Sequence, residues 1–215
     1  IKDFSGKPML HWAIEAASKS GLFAHTVVST DSDEIAAEAV KAGAEVPFMR
    51  PANLADDHAV TRDVINHAIA ECTRIYGDFK HCCCIYPTSP FLTVNDLSAA
   101  WKILNTEQVP FVFSATAYPY PIQRAFYIQA NGRVEMFQPE HAHTRSQDLI
   151  PAYHDAGMFY WGKCHAFLNH QSMFSGDSRP YLLPSHSVCD LDTVEDWERA
   201  EWMMKAKLLA ANTYV

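Results

Sequence analysis

Near its C-terminal end the chain reads Cys189-Asp190-Leu191-Asp192-Thr193. In an extended segment, residues i and i+2 face the same way, so Asp190 and Asp192 can converge on one ion. Their hard carboxylate oxygens suit Mg2+ next to a phosphate. The competing reading is that Asp192 or Thr193 caps the helix beginning near Glu195. Tyr86-Pro87-Thr88-Ser89-Pro90 follows an apolar run. In open α/β sheets, ligands bind beyond the carboxyl ends of the strands, where Thr88 and Ser89 would meet a base or ribose. The alternative there is a proline-stiffened turn. Ser29-Thr30-Asp31 stands at another strand end, with Asp31 either a nucleotide contact or part of a helix cap. Arg50 opens a loop running to Asp57. Its guanidinium can grip phosphate or carboxylate through paired N–H donors, or sit in a surface ion pair. His141 and His143 have no Cys or carboxylate at a matching short spacing and read as a polar loop. No G-x-S-x-G, H-E-x-x-H, G-x-G-x-x-G or Walker A sequence occurs, so serine hydrolases, zinc proteases and P-loop enzymes lose support.

The elements that must hold these groups alternate. Pro8 to Ser20 places Leu10, Ala13, Ile14 and Ala17 on one helical face and stops at Gly21. His25 to Thr30 is a short β-branched run, hence a strand. Asp31 to Glu34 supplies acids to a helix start, Ile35 to Ala42 is the helix, and Glu45 to Met49 is a second short strand. Thr61 to Tyr76 is a helix, and His81 to Tyr86 is a continuous apolar strand of the kind covered on both faces. Helix Val94 to Leu104 and strand Phe111 to Ala115 follow. This rhythm implies an α/β fold with a mainly parallel sheet and helices on its faces.

The rhythm breaks after Ala117. Phe126 to Gln129 and Arg133 to Phe137 flank Ala130-Asn131-Gly132, a hairpin signal. The stretch 118–153 is too long for a plain connection and reads as an inserted functional or interface segment. Gln123, Arg124, Arg145, Gln147, His154 and Asp155 make it and its return polar. The α/β pattern resumes with strand Met158 to Trp161, a short helix Cys164 to Leu168, strand Tyr181 to Leu183 and helix Glu195 to Leu209. The expected organisation is a nucleotide-binding part at 1–117, the insertion at 118–153, and completion of the α/β domain at 154–215.

Composition narrows the classes. The chain has 215 residues, 48% of them hydrophobic, a normal globular mix for one large domain. With 17 Lys and Arg against 25 Asp and Glu, and no basic cluster, it is not built to coat nucleic acid. No apolar stretch approaches the ~20 residues of a membrane span. Three of the six cysteines, Cys82, Cys83 and Cys84, are consecutive and no C-x-x-C occurs. Buried reduced thiols in a cytoplasmic protein are therefore expected. The first residue is Ile1 and no signal-peptide pattern opens the stretch, which reads as the middle of a longer arrangement.

The order of the short sequences is more specific than any one of them. Ile1-Lys2-Asp3-Phe4-Ser5-Gly6-Lys7-Pro8, Val28-Ser29-Thr30-Asp31, Arg50 to Ala55, Pro87-Thr88-Ser89-Pro90 and Asp190-Leu191-Asp192-Thr193 together resemble the cytidylyltransferases that activate nine-carbon sugar acids. These are the CMP-sialic acid synthetases and their relatives. Phe113 to Thr116, Pro121 to Arg124, Gly132 to His141 and Tyr153 to Gly157 resemble the branch that acts on pseudaminic acid. The resemblance implies a Rossmann-like nucleotidyltransferase fold, a three-layer sandwich of GT-A-like type with an inserted dimerisation arm. It implies CTP and a nonulosonic acid as substrates, Mg2+ on Asp190 and Asp192, and a homodimer. It places Asp31, Arg50, Thr88 and Ser89 near the nucleotide, and the polar cluster from Gln123 to Asp155 near the sugar. The family has Gln before the Pro-Thr-Ser-Pro turn, where this chain has Tyr86. The family also opens with a strand and a basic triphosphate loop ahead of the region matching Ile1, so the chain is expected to lack both. Alternatives are a sugar-nucleotide binding module without catalysis and a metal-dependent glycosyltransferase, which would carry its D-x-D nearer mid-chain.

Overall fold

The computed structural model describes residues 1–56 and 58–213, with side chains up to residue 210. Asp57, the expected end of the Arg50 loop, and residues 214–215 of the expected last segment lie outside the described residues. In chain order the elements are β1 (Asp3–Phe4), β2 (Lys7–Pro8), α1 (Met9–Ser20), α2 (Asp33–Lys41) and α3 (Thr61–Tyr76). Next come β3 (His81–Ile85), α4 (Val94–Glu107), β4 (Phe111–Ala117), β5 (Phe126–Ile128) and β6 (Val134–Met136). The last are β7 (Tyr153–Lys163), α5 (Cys164–Leu168), β8 (Arg179–Leu182) and α6 (Val194–Thr213).

Side-chain alternation sorts the core into layers. Cys83, Val112, Phe159 and Trp161 face α1, α4 and α6 in one cluster. Cys82, Cys84, Phe111, Phe113 and Tyr160 face α3 and α5 in another. The result is helices, sheet, helices. All six cysteines are free thiols, and burial pushes the Cys84 thiol up to about 12.

The central sheet runs β3-β7-β4-β8. β4 and β8 are parallel, while β7 is antiparallel to both β3 and β4. Three strands thus point one way, and the expected mainly parallel sheet is a mixed one because β7 lies between β3 and β4. The two short strands expected at His25–Thr30 and Glu45–Met49 reduce to a single parallel bridge, Val27 to Glu45. β-branched content alone did not give these runs a long ladder.

β7 is longer than its apolar run suggested. Its polar first half, from Tyr153, pairs with the end of β4 past a register shift between Phe113 and Ala115. Gly157, at φ +60, takes the left-handed conformation that the shift needs. The buried Ser114 hydroxyl accepts the N–H groups of Met158 and Phe159, both at 3.1 Å, which the broken ladder would leave bare. The arm hairpin forms as expected: Gly132 sits at φ +79 in the turn, and Asn131 Oδ1 accepts the Arg133 N–H at 2.9 Å.

Candidate active site

The carboxyl ends of β3, β4 and β8 share one end of the sheet with the start of β7. The segments that leave this end carry most of the residues singled out from sequence. After β8 the chain is tied to β4, with the Leu183 N–H on Ala115 O at 2.8 Å and the Thr116 hydroxyl on Leu183 O at 3.0 Å. It then passes buried Cys189, whose thiol donates to Asp196 O at 3.5 Å, and reaches the aspartate pair.

The geometry separates the two readings of that pair. The cap of α6 is a reciprocal Thr193–Asp196 box. Thr193 Oγ1 accepts the Asp196 N–H at 3.1 Å, and the Thr193 N–H and hydroxyl donate to Asp196 Oδ2 at 3.0 and 2.7 Å. Asp192 is therefore not the cap, and its exposed carboxylate has no partner among the described residues. Asp190 is also exposed, and its carboxylate accepts only the neighbouring Leu191 N–H among the described residues, at 3.2 Å.

Asp31 and Arg50 are brought together, with Arg50 Nη2 3.5 Å from Asp31 Oδ1. The Arg50 N–H donates to Thr30 O at 2.8 Å, which draws the two segments side by side. Arg50 Nε is buried without a partner. The cap of α2 is Ser32, so Asp31 is free of that duty. Thr88 is exposed, but Ser89 is 1% exposed and donates to Met158 O at 3.2 Å. The Ser89 hydroxyl thus fastens the turn to β7, and of the two hydroxyl-bearing residues only Thr88 is exposed.

The polar cluster divides. Gln123 Nε2 donates to Ile150 O at 2.8 Å, and Arg124 Nη1 lies 3.5 Å from Ser146 Oγ, so both stitch the base of the arm. Arg145 pairs with Asp148 at 2.8 Å, and Gln147 is exposed in the same short turn. His154 Nδ1 lies 2.8 Å from the backbone oxygen of Asp155, and its ring packs on Tyr118. Asp155 turns away from the arm, accepting the Tyr160 hydroxyl and the Gly157 N–H.

Tyr160 leads to a cavity of about 450 Å³ that sequence reading missed. Its walls include Thr61, Arg62, Tyr86, Tyr160, Met173 and Phe174. The Tyr86 and Thr61 hydroxyls are 2.9 Å apart. Burial pushes both tyrosine phenols up, and Asp155 adds to this at Tyr160, so both stay protonated. The volume lies within the roughly 300–1,000 Å³ typical of small-molecule sites.

The three-layer α/β fold superposes on nucleotidyltransferases of known structure, and the class itself rests on the family to which the sequence belongs. The chain belongs to the Cytidylyltransferase family, whose model matches residues 1–204. It is 43% identical, over 95% of its length and 88% of the relative, to the pseudaminic acid cytidylyltransferase of Campylobacter jejuni. It is 30% identical, over 94% of its length and 87% of the relative, to the CMP-N,N'-diacetyllegionaminic acid synthase of Legionella pneumophila. Among solved structures, a CMP:2-keto-3-deoxy-manno-octonic acid synthetase complexed with CTP superposes with a TM-score of 0.69 at 14% identity, covering 96% of this chain and 91% of that one. The chain is thus a nucleotidyltransferase, and the glycosyltransferase alternative loses its basis.

Proposed function

We propose that the protein transfers CMP from CTP to the anomeric hydroxyl of pseudaminic acid and releases pyrophosphate. The extended likeness to the Campylobacter jejuni relative carries this reading. In the reaction the sugar hydroxyl loses its proton to solvent, its oxygen bonds to the α-phosphorus, and the bond from that phosphorus to the bridging oxygen breaks as pyrophosphate leaves with that oxygen. Asp190 and Asp192 fit Mg2+, being two exposed hard-oxygen donors not held in ion pairs among the described residues. Bound there, Mg2+ would neutralise charge on the separating phosphates. No group of three or more metal-ligating side chains gathers among the described residues, so Asp190 and Asp192 are the two side chains that would hold the ion.

The chain's own residues bind and orient. Arg50, beside Asp31, and the exposed Thr88 stand at the nucleotide end. The cavity between α3 and the 170–174 segment receives the sugar, with the Thr61 and Tyr86 hydroxyls as its polar contacts. Fixing both reactants lowers the entropic barrier to in-line attack. The arm keeps Phe126, Ile128, Val134, Phe137 and Ile150 more than half exposed. That much apolar surface calls for a cover, and a second copy supplies it in a homodimer. Six free thiols suit the reducing cytoplasm, and no helix among the described residues is long and apolar enough to cross a membrane. The test is competition between pseudaminic acid and N-acetylneuraminic acid for limiting enzyme. A higher kcat/KM for pseudaminic acid is expected, and equal or reversed values would overturn the assignment.

A further inference from the structure

The start of β7 lies against the end of β4, with His154 opposite Thr116 and Asp155 opposite Ala115. Adjacent strand residues face opposite ways. Asp155 accepts the hydroxyl of Tyr160, a wall of the cavity, so it faces the cavity side. His154 faces the other side, the one on which Ala156 packs with Leu183, Cys189 and Leu191. Thr116, opposite His154, holds Leu183 O at 3.0 Å, and from Leu183 the chain runs on to Asp190 and Asp192. The strand end at 154–155 thus stands between the cavity proposed for the sugar and the segment that carries the aspartates.

The hydrogen bond of His154 decides which ring nitrogen is available. Nδ1 lies 2.8 Å from Asp155 O. A backbone carbonyl only accepts, so in the neutral ring Nδ1 carries the hydrogen and Nε2 keeps its lone pair. Nε2 has no partner among the described residues and is not sealed from solvent. The Tyr118 ring, 4.7 Å away between centroids, packs against the imidazole and holds it in place. An imidazole with one nitrogen tied to an acceptor and the other free is arranged to take a proton. The other groups near this sheet end are engaged or unfixed. Asp190 and Asp192 would hold the ion, and Asp31 stands beside Arg50. His186, on the 185–187 turn, is exposed and has no hydrogen bond among the described residues to set its tautomer.

We propose that His154 is the catalytic base for the attacking hydroxyl of the acceptor sugar. This rests on the reading of the chain as a sugar-acid cytidylyltransferase. Nε2 takes the hydroxyl's proton as the sugar oxygen bonds to the α-phosphorus. The bond from that phosphorus to the bridging oxygen breaks, and pyrophosphate leaves with the electron pair and that oxygen. The imidazolium, partly exposed at the sheet end, then releases the proton to solvent. A histidine that only bound the sugar would act on the sugar's KM, and one that only supported the strand would act on stability.

The test is His154→Asn, whose amide N–H can keep the bond to Asp155 O while Nε2 is removed. Its kcat should fall by on the order of 10²-fold, the scale of a general base. The KM values for CTP and pseudaminic acid and the unfolding temperature should stay near wild type. His186→Asn should keep the wild-type kcat. A raised sugar KM with unchanged kcat, or wild-type rates in His154→Asn, would overturn the proposal. Because the variant can fail to fold, wild type is also treated with diethyl pyrocarbonate, and modification of each histidine is read by mass spectrometry. Loss of rate that follows modification of His154, and is slowed by CTP with pseudaminic acid, supports the base. Loss that follows a different histidine, or a modified His154 with the rate retained, overturns it. No CMP transfer by wild type to any sugar acid would instead bring down the underlying reading, and the proposal with it.

Discussion

At the residue scale, Asp190 and Asp192 carry the sharpest claim. Asn keeps the shape of Asp and removes its charge. Each Asp→Asn change should lower turnover by on the order of 10²-fold or more, as loss of electrostatic stabilisation does, and leave the unfolding temperature close to wild type. Thr193→Ala should do the opposite to stability, removing about 1 kcal/mol with the cap. Thermal unfolding of the three variants beside steady-state rates checks both expectations, and near-wild-type rates in both Asn variants would reject the metal assignment. The i, i+2 spacing of the two aspartates is visible in sequence, and both carboxylates are exposed in the structure. Which residue capped α6 was not visible in sequence, since Asp192 and Thr193 are both good caps and only the Thr193–Asp196 bonds separate them. Sequence likewise shows a hydroxyl at position 89 but not its direction, and here it turns to Met158 O.

At the element scale, β7 and the arm depend on polar details. Ser114 is fully buried and satisfies two N–H groups at the register shift. Ser114→Ala would leave both bare, costing about 1–3 kcal/mol, read as a lower urea midpoint. A midpoint within error of wild type would show that the shift needs no such support. The arm hairpin is two-stranded, and such hairpins are marginal alone. Deleting residues 126–147 should convert a dimer to a monomer in sedimentation, whereas a wild-type chain that is monomeric at micromolar concentration would refute the arm's role. The helices were readable because their apolar periodicity and stops were plain: α3 spans Thr61–Tyr76 as expected. The first half of β7 was not, because Tyr153, His154 and Asp155 are polar and pair through the backbone of β4.

At the scale of the whole molecule, a sheet with helices on both faces brings strand ends together that are far apart in sequence. The fold class followed from the alternation of elements, and the order of short sequences pointed to the family. The cavity could not be seen that way. Its walls come from α3, β7, the turn after β3 and the segment before β8, and only packing joins Thr61 to Tyr86 and Arg62 to Phe167. The proposed sugar site lies in that convergence. The most direct measurement supplies the full chain with Mg2+, pseudaminic acid and CTP labelled at its α-phosphate, and follows the label by chromatography. The account predicts that the label moves into CMP-pseudaminic acid, with one pyrophosphate released per sugar consumed. Label that stays in CTP, or pyrophosphate released without a labelled sugar, would contradict it.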